Sequence, residues 1–203
     1  MFDMDGTLVD TAKATVPTCI QCARELGLPP RDPASIRELI GWSNPEFYFR
    51  MYPEIPKELV LHYAAEVEAR EARYIQELGR DILFPGMEAL LDILKSRDYY
   101  LAVASTGSAE HVEVSLRAAG IQEFFDTIRC GEPVKIQMVR DIIGKGLKGD
   151  WLIVGDKDKD AEAGKANGIV TVGAVYGYGS TEELNMFDFR IDTSLDLLKH
   201  LSG

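Results

Sequence analysis

Short apolar runs alternate with amphipathic stretches over most of this chain. The runs at 100–104 (YLAVA), 127–129, 151–154 (WLIV), 169–173 (IVTVG) and 189–191 have the length of strands, and residues 1–2 lead into Asp3 as the stub of another. Between and after them the periodicity turns helical, at 86–97, 109–119, 135–145, 159–167 and 195–201. Strand-then-helix alternation predicts an α/β fold, a parallel sheet covered by helices. Its strand C-termini share one edge, where ligands of open α/β sheets bind.

From about 11 to about 80 the rhythm changes to helical signals with no convincing strand. Leu59, Tyr63, Val67, Tyr74 and Leu78 recur at spacings of four and seven. They predict one amphipathic helix over 56–79, with Pro56 in its first turn and Gly79 at its end. Prolines 29, 30, 33, 45 and 53 punctuate the stretch before it. The expected organisation is an α/β body of residues 1–10 and 81–203 with an all-helical insertion, 11–80. Only Met1 and Phe2 precede Asp3, whereas strands average about five or six residues. That first strand is expected to be short, or to start before the residues given.

Composition narrows the function classes. A chain of 203 residues, 46% hydrophobic and 27% charged, is ordinarily globular. A net charge of -11 argues against nucleic acid or an anionic membrane as partner, but not against a small anion held with a divalent cation. No apolar run approaches the ~20 residues of a membrane span, and no secretory leader is visible. The three cysteines, Cys19, Cys22 and Cys130, are too few and odd in number for a disulfide framework. A cytoplasmic setting is therefore expected. Cys19 and Cys22 form a C-x-x-C pair, but within TVPTCIQCARELG they read as buried apolar positions of a helix.

Four segments carry candidate chemistry. In Asp3-Met4-Asp5-Gly6-Thr7, two carboxylates two residues apart would share an edge cleft, one ionised as nucleophile and one protonated as acid. Gly6 permits a tight turn that Thr7 can support. A calcium loop also uses alternating Asp with Gly, but would need a later Glu that is absent here. In Gly155–Asp160 (GDKDKD), Asp156 at a strand end and Asp160 four residues on offer hard oxygen ligands for magnesium, unless they simply favour a helix N-terminus. Ser105 and Thr106, after YLAVA, offer hydroxyls and main-chain N–H groups to phosphoryl oxygens; Ser108 alternatively caps the next helix. Lys135, at a helix start, opposes the dipole and so calls for an anionic partner, although a lone lysine is commonly a solvated charge.

Together these motifs resemble the haloacid dehalogenase superfamily, in its phosphoglycolate-phosphatase-like branch. The resemblance runs through DMDGTLVD, LAVAST, Lys135, VGDKDKDAEAGKANGI and TVGAVYGYGSTEEL. It implies a Rossmann-like core with a helical cap inserted after the first motif. It further implies Asp3 as the nucleophile that becomes an aspartyl phosphate and Asp5 as general acid and base. Ser105 and Lys135 would hold phosphoryl oxygens, with Gly6, Thr7 and Thr106 around them. Mg2+ would lie on Asp3, the Asp5 main-chain carbonyl and Asp156, with Asp160 direct or through water. Gly107 and Lys157 stand where relatives often carry other residues, which leaves the phosphate and cap contacts open.

The expected activity is magnesium-dependent hydrolysis of a small phosphorylated metabolite, phosphoglycolate being suggested by the branch. The rivals are a β-phosphoglucomutase-like sugar phosphomutase, a pyrophosphatase or nucleotidase, and a non-catalytic binding module. A mutase or pyrophosphatase needs a cap that holds a second phosphate. Arg50, Lys57 and Arg70 are candidates, but read better as solvated charges. The aromatic cap segment GWSNPEFYFRMY could line a pocket or pack the cap's own core.

Overall fold

The computed structural model describes residues 1–144 and 149–201. Its parallel strands are β1 (Ala102–Ser105), β2 (Thr127–Cys130), β3 (Leu152–Gly155), β4 (Val170–Ala174) and β5 (Phe189–Ile191). Phe2 bridges Val103 of β1 and Val154 of β3, so the order across the sheet is β2-β1-Phe2-β3-β4-β5. The Phe2 N–H donates to Ala102 O at 2.8 Å, and the Asp3 N–H donates to Val154 O at 2.8 Å. One bridged residue thus takes the place of the central strand. It delivers Asp3 to the carboxyl edge where chain order reverses, the ligand-binding position of such sheets.

Side-chain alternation along the strands builds two cores. Phe2, Val103, Val154 and Val172 face one side, with Leu90, Leu91 and Leu94 of α5 (Met87–Ser96) and Val112 and Leu116 of α6 (Ala109–Ala118). Met1, Ala102, Ala104 and Ile153 face the other, with Val139 and Ile142 of α7 (Lys135–Ile143) and Ala163 of α8 (Asp158–Ala166). The expected helices 86–97, 109–119 and 159–167 lie within a residue or so of the observed spans, and Lys145 of the fourth, 135–145, lies outside the described residues. Two differences appear at the end of the chain: 194–200 is a 3-10 helix, and a short helix at Thr181–Leu184 was not expected.

Between Asp10 and Gly79 lie α1 (Ala12–Glu25), α2 (Pro33–Leu39), α3 (Glu46–Met51) and α4 (Lys57–Leu78). Asp32 caps α2 through Ala34 N–H and Ser35 N–H, with Pro33 at its first position. Cys19, Cys22, Phe47, Tyr48, Tyr52, Val60, Tyr63 and Val67 form an apolar cluster of these helices. The C-x-x-C pair therefore packs as apolar side chains, and burial pushes the Cys19 thiol up to about 12. The inner face of α4 differs from the expected one. Val60, Tyr63, Ala64, Val67, Glu71 and Ile75 are buried, whereas Leu59 and Tyr74 are 38% and 37% exposed. The stripe is rotated toward a position that holds a carboxylate. Among the described residues no helix is long and apolar enough to cross a membrane.

Candidate active site

The chain turns sharply after Asp3. Gly6 sits at φ +80°, and a Cβ there would come within 2.3 Å of Asp156 Oδ2. That close approach lets the two acidic motifs meet: Thr7 Oγ1 donates to Asp156 Oδ1 at 3.3 Å, and the Tyr178 N–H donates to Asp156 Oδ2 at 2.7 Å. Gly179 brings the Tyr178 loop in, since a Cβ at 179 would lie 1.8 Å from Asp156 O. Gly6 and Thr7 thus stand behind Asp156 rather than in the cleft wall. Replacing Gly6 with alanine is expected to lower stability by at least ~2 kcal/mol, from left-handed backbone strain plus the clash. Urea unfolding in EDTA measures it, and a parent-like midpoint would count against the geometry.

Asp3, Asp156 and Asp160 are all buried, with carboxylate oxygens within 4.8 Å of one another. Lys135, 5% exposed, bridges two of them: its Nζ donates to Asp3 Oδ1 at 2.5 Å and to Asp160 Oδ1 at 2.6 Å. This is the anionic partner its helix-start position called for. Asp156 directly follows β3 and is not on the helix; Asp160 lies in the first turn of α8, where its Oδ2 accepts from the Lys157 N–H at 3.1 Å. Burial, then repulsion from Asp160, holds Asp3 well above the usual carboxylate range and pushes Asp156 up to about 7. Three buried carboxylates against one ammonium leave excess negative charge on hard oxygens, a donor set that fits a divalent cation such as Mg2+.

Asp5 lines the same cleft but is not one of these three carboxylates. Its Oδ1 lies 2.9 Å from His111 Nε2. Ser108 caps α6 by accepting from the His111 N–H at 3.2 Å, which sets His111 in the first turn facing Asp5. Gly107 keeps this turn compact: a Cβ there would meet His111 Cδ2 at 3.1 Å. Burial disfavours charge on both partners, but each overcomes it in the other: Asp5 is held below the usual carboxylate range and His111 raised to about 9. A histidine raised above its unfolded value of about 6.5 stabilises the fold fully below that pH, and the contribution is lost as pH rises through about 9. His111→Gln is therefore expected to cost on the order of 2 kcal/mol below pH 6 and little at pH 10. Denaturation at both pH values checks this; an equal loss at each would overturn it.

Two cavities meet at Asp5. A cleft of about 10 Å³ is walled by Asp3, Asp5, Gly41, Ser105, Thr106, Lys135, Lys157, Lys159 and Asp160. Ser105 Oγ there accepts from the Gly107 N–H at 3.1 Å, while the Thr106 hydroxyl donates to Gly41 O at 3.1 Å and so ties the turn to the helical segment. Lys157 Nζ similarly donates to Glu38 O at 3.1 Å, and Lys159 Nζ to Gly41 O at 3.2 Å. The second cavity, about 420 Å³, lies between α4 and the start of α6 and includes Asp5, Trp42, Phe47, Tyr48, Glu71 and His111 in its wall. Arg50, Lys57 and Arg70 do not line it: Arg50 stacks on Trp42 at 3.5 Å, Lys57 lies over Phe49 at 5.4 Å, and Arg70 pairs with Glu25 and Glu66. His111, Glu71 and Tyr178 were not singled out from sequence. A histidine three residues after a capping serine, and a glutamate on the stripe from Val60 to Ile75, were the available signals.

Comparison with known proteins agrees with this arrangement. The family model described as haloacid dehalogenase-like hydrolase matches residues 1–174. A phosphoglycolate phosphatase of Synechococcus elongatus is 26% identical, over 98% of this chain and 94% of its own. The pyrophosphatase PpaX of Listeria welshimeri is also 26% identical, over 98% of this chain and 93% of its own. Among solved structures, a predicted phosphoglycolate phosphatase from Haemophilus somnus superposes with a TM-score of 0.86 at 23% identity, over 98% of this chain and 95% of its own. The carboxyl-edge cluster, the parallel sheet and these matches place the chain in one family: it belongs to the haloacid dehalogenase-like hydrolases, among their phosphatases.

Proposed function

We propose that this hydrolase is a magnesium-dependent phosphatase that cleaves a small phosphorylated metabolite through an aspartyl phosphate on Asp3. The observation that carries this reading is the Lys135 bridge between buried Asp3 and Asp160, at the sheet edge beside Asp156. Residues 11–80 act as the cap over a body of 1–10 and 81–203. Asp3, Asp156 and the Asp5 main-chain carbonyl would hold magnesium, with Asp160 at one remove because Lys135 and the Lys157 N–H occupy its oxygens. A bound magnesium ion supplies neutralisation of the carboxylates and the phosphoryl oxygens.

The chain's own groups perform the rest. Asp3 attacks phosphorus while Lys135 and the Ser105 hydroxyl orient the equatorial oxygens. The proton for the departing ester oxygen comes from His111, whose Nε2–H donates to Asp5, and passes through the Asp5 carboxyl. The aspartyl phosphate is then hydrolysed by water, whose proton returns to Asp5. Gly41 and the lysines that bind it and Glu38 hold the cap against the cleft and exclude bulk water. The sparse, odd set of cysteines supports the reducing cytoplasm as its setting.

Phosphate release from phosphoglycolate, sugar phosphates, nucleotides, pyrophosphate and an aryl phosphate, with magnesium and again with EDTA, tests this reading. Release that depends on magnesium is expected. Absence of release from every compound would overturn it.

A further inference from the structure

The two cavities that meet at Asp5 differ in charge. Lys135, Lys157 and Lys159 stand around the small cleft, where the phosphoryl group reacts, and balance its Asp3, Asp5 and Asp160. The larger cavity carries Asp5, Glu68, Glu71 and Glu110, with His111 as its one cation, and no Lys or Arg among the described residues lines it. His111 pairs with Asp5 and also attracts Glu71 and Glu68, so one positive charge stands against four carboxylates.

Glu71 is the decisive group. It is nine-tenths buried, on the stripe of α4 where Val67 and Ile75 are fully buried. Its hydrogen bond among the described residues comes from the Thr15 hydroxyl and goes to Oε1, which leaves Oε2 unbonded in the cavity wall. Burial raises its carboxyl above the usual range; burial and then Glu71 raise that of Glu68. A mostly buried carboxylate with one oxygen open to a cavity is a ready partner for a cation or donor that enters it. Glu68 gives one oxygen to Asn44 Nδ2, at 2.7 Å. Around these carboxylates, Phe47, Tyr48, Ala69 and Ala72 supply apolar wall for a short carbon chain.

We propose that the substrate is the phosphate monoester of a short amino alcohol, its phosphate toward the lysines and its protonated amine against Glu71 and Glu68. The inference rests on the phosphatase reading and deepens it. A cavity so charged repels a carboxylate or second phosphate in the organic part, which sets phosphoglycolate, pyrophosphate and sugar bisphosphates at a disadvantage.

The test compares kcat/KM for matched esters with magnesium: 2-aminoethyl and 3-aminopropyl phosphate, ethyl and propyl phosphate, phosphoglycolate, and an aryl phosphate. A charge-assisted contact is worth about 1.5–3 kcal/mol, so amino esters are expected to exceed alkyl esters by at least ~10-fold, and alkyl esters to exceed phosphoglycolate. In Glu71→Gln, and separately in Glu68→Gln, the amino-to-alkyl ratio is expected to fall about tenfold, a within-variant ratio that partial loss of folding does not move. Aryl phosphate hydrolysis with no amine preference, or a ratio unchanged in both variants, overturns this inference alone. No release from any ester overturns the phosphatase reading, and this inference with it.

Discussion

Asp3→Asn is expected to reduce kcat by a factor of at least ~10⁴ while leaving the protein folded. The amide is a poor nucleophile toward phosphorus and cannot form the acyl phosphate, so the covalent route closes. Stability should move the other way. Asp3 is 6% exposed, held among Asp160 and Asp156, and its ionisation is opposed by burial and by both neighbours. Removing that charge relieves repulsion in the metal-free protein, so the Tm in EDTA should equal or exceed that of the parent. If Asp3 holds magnesium as proposed, the rise in Tm on adding the ion should shrink with the loss of its charge. Steady-state kinetics and thermal denaturation with and without magnesium read all three effects. A variant that keeps half the parent rate would end the nucleophile assignment, whatever its stability.

Lys135→Met is expected to damage fold and activity together. Lys135 is the ammonium that bridges Asp3 and Asp160, and those carboxylates stay buried when it is removed. Breaking a buried pair from one side typically costs about 3–5 kcal/mol, because a charge is left without compensation. The sign with pH follows from the carboxylates. Their folded pKa values already lie above the unfolded ones for Asp3 and Asp156, and rise further without the lysine. A carboxylate raised in the folded state destabilises the fold once pH exceeds its unfolded value. The loss should therefore be largest near pH 8, smaller near pH 5, and partly relieved by magnesium. Urea unfolding at both pH values decides the matter. A loss independent of pH and of magnesium would mean that Lys135 contributes packing rather than charge balance.

The local signals were strong where chemistry and backbone agree. Pro56 and Gly79 bracket α4 as expected, because one tolerates a helix start and the other a left-handed exit. The strand runs of the sheet were legible because a parallel sheet covered on both faces demands apolar residues at nearly every position. The helix at Thr181–Leu184 carries a capping box of Ser180 and Glu183. That signal was present in the sequence, but the helix is too short for periodicity to register. The face of α4 was misjudged because large apolar residues attract a stripe to themselves. Leu59 and Tyr74 lie at its margin, and the buried position in line with Val60 and Val67 is Glu71.

Short-range spacing thus accounts for the α/β alternation, for the run of helices between Asp10 and Gly79, and for the acidic and hydroxyl positions after strands and the lysine at a helix start. The tertiary structure alone decided which of these meet. Lys135 reaches Asp3 across 132 residues of chain, and His111 reaches Asp5 across 106. Only the order of strands around Phe2 sets those separations. Thr106 came out tied to the carbonyl of Gly41 in the helical segment, and Thr7 came out supporting Asp156. The different charge balance of the two cavities, lysines facing carboxylates in one and carboxylates with a single histidine in the other, likewise depends on elements that no local pattern pairs. Spacing along a chain dictates which face a side chain takes on its own element. Contact between elements depends on how whole faces pack, and that is settled only when the cores close.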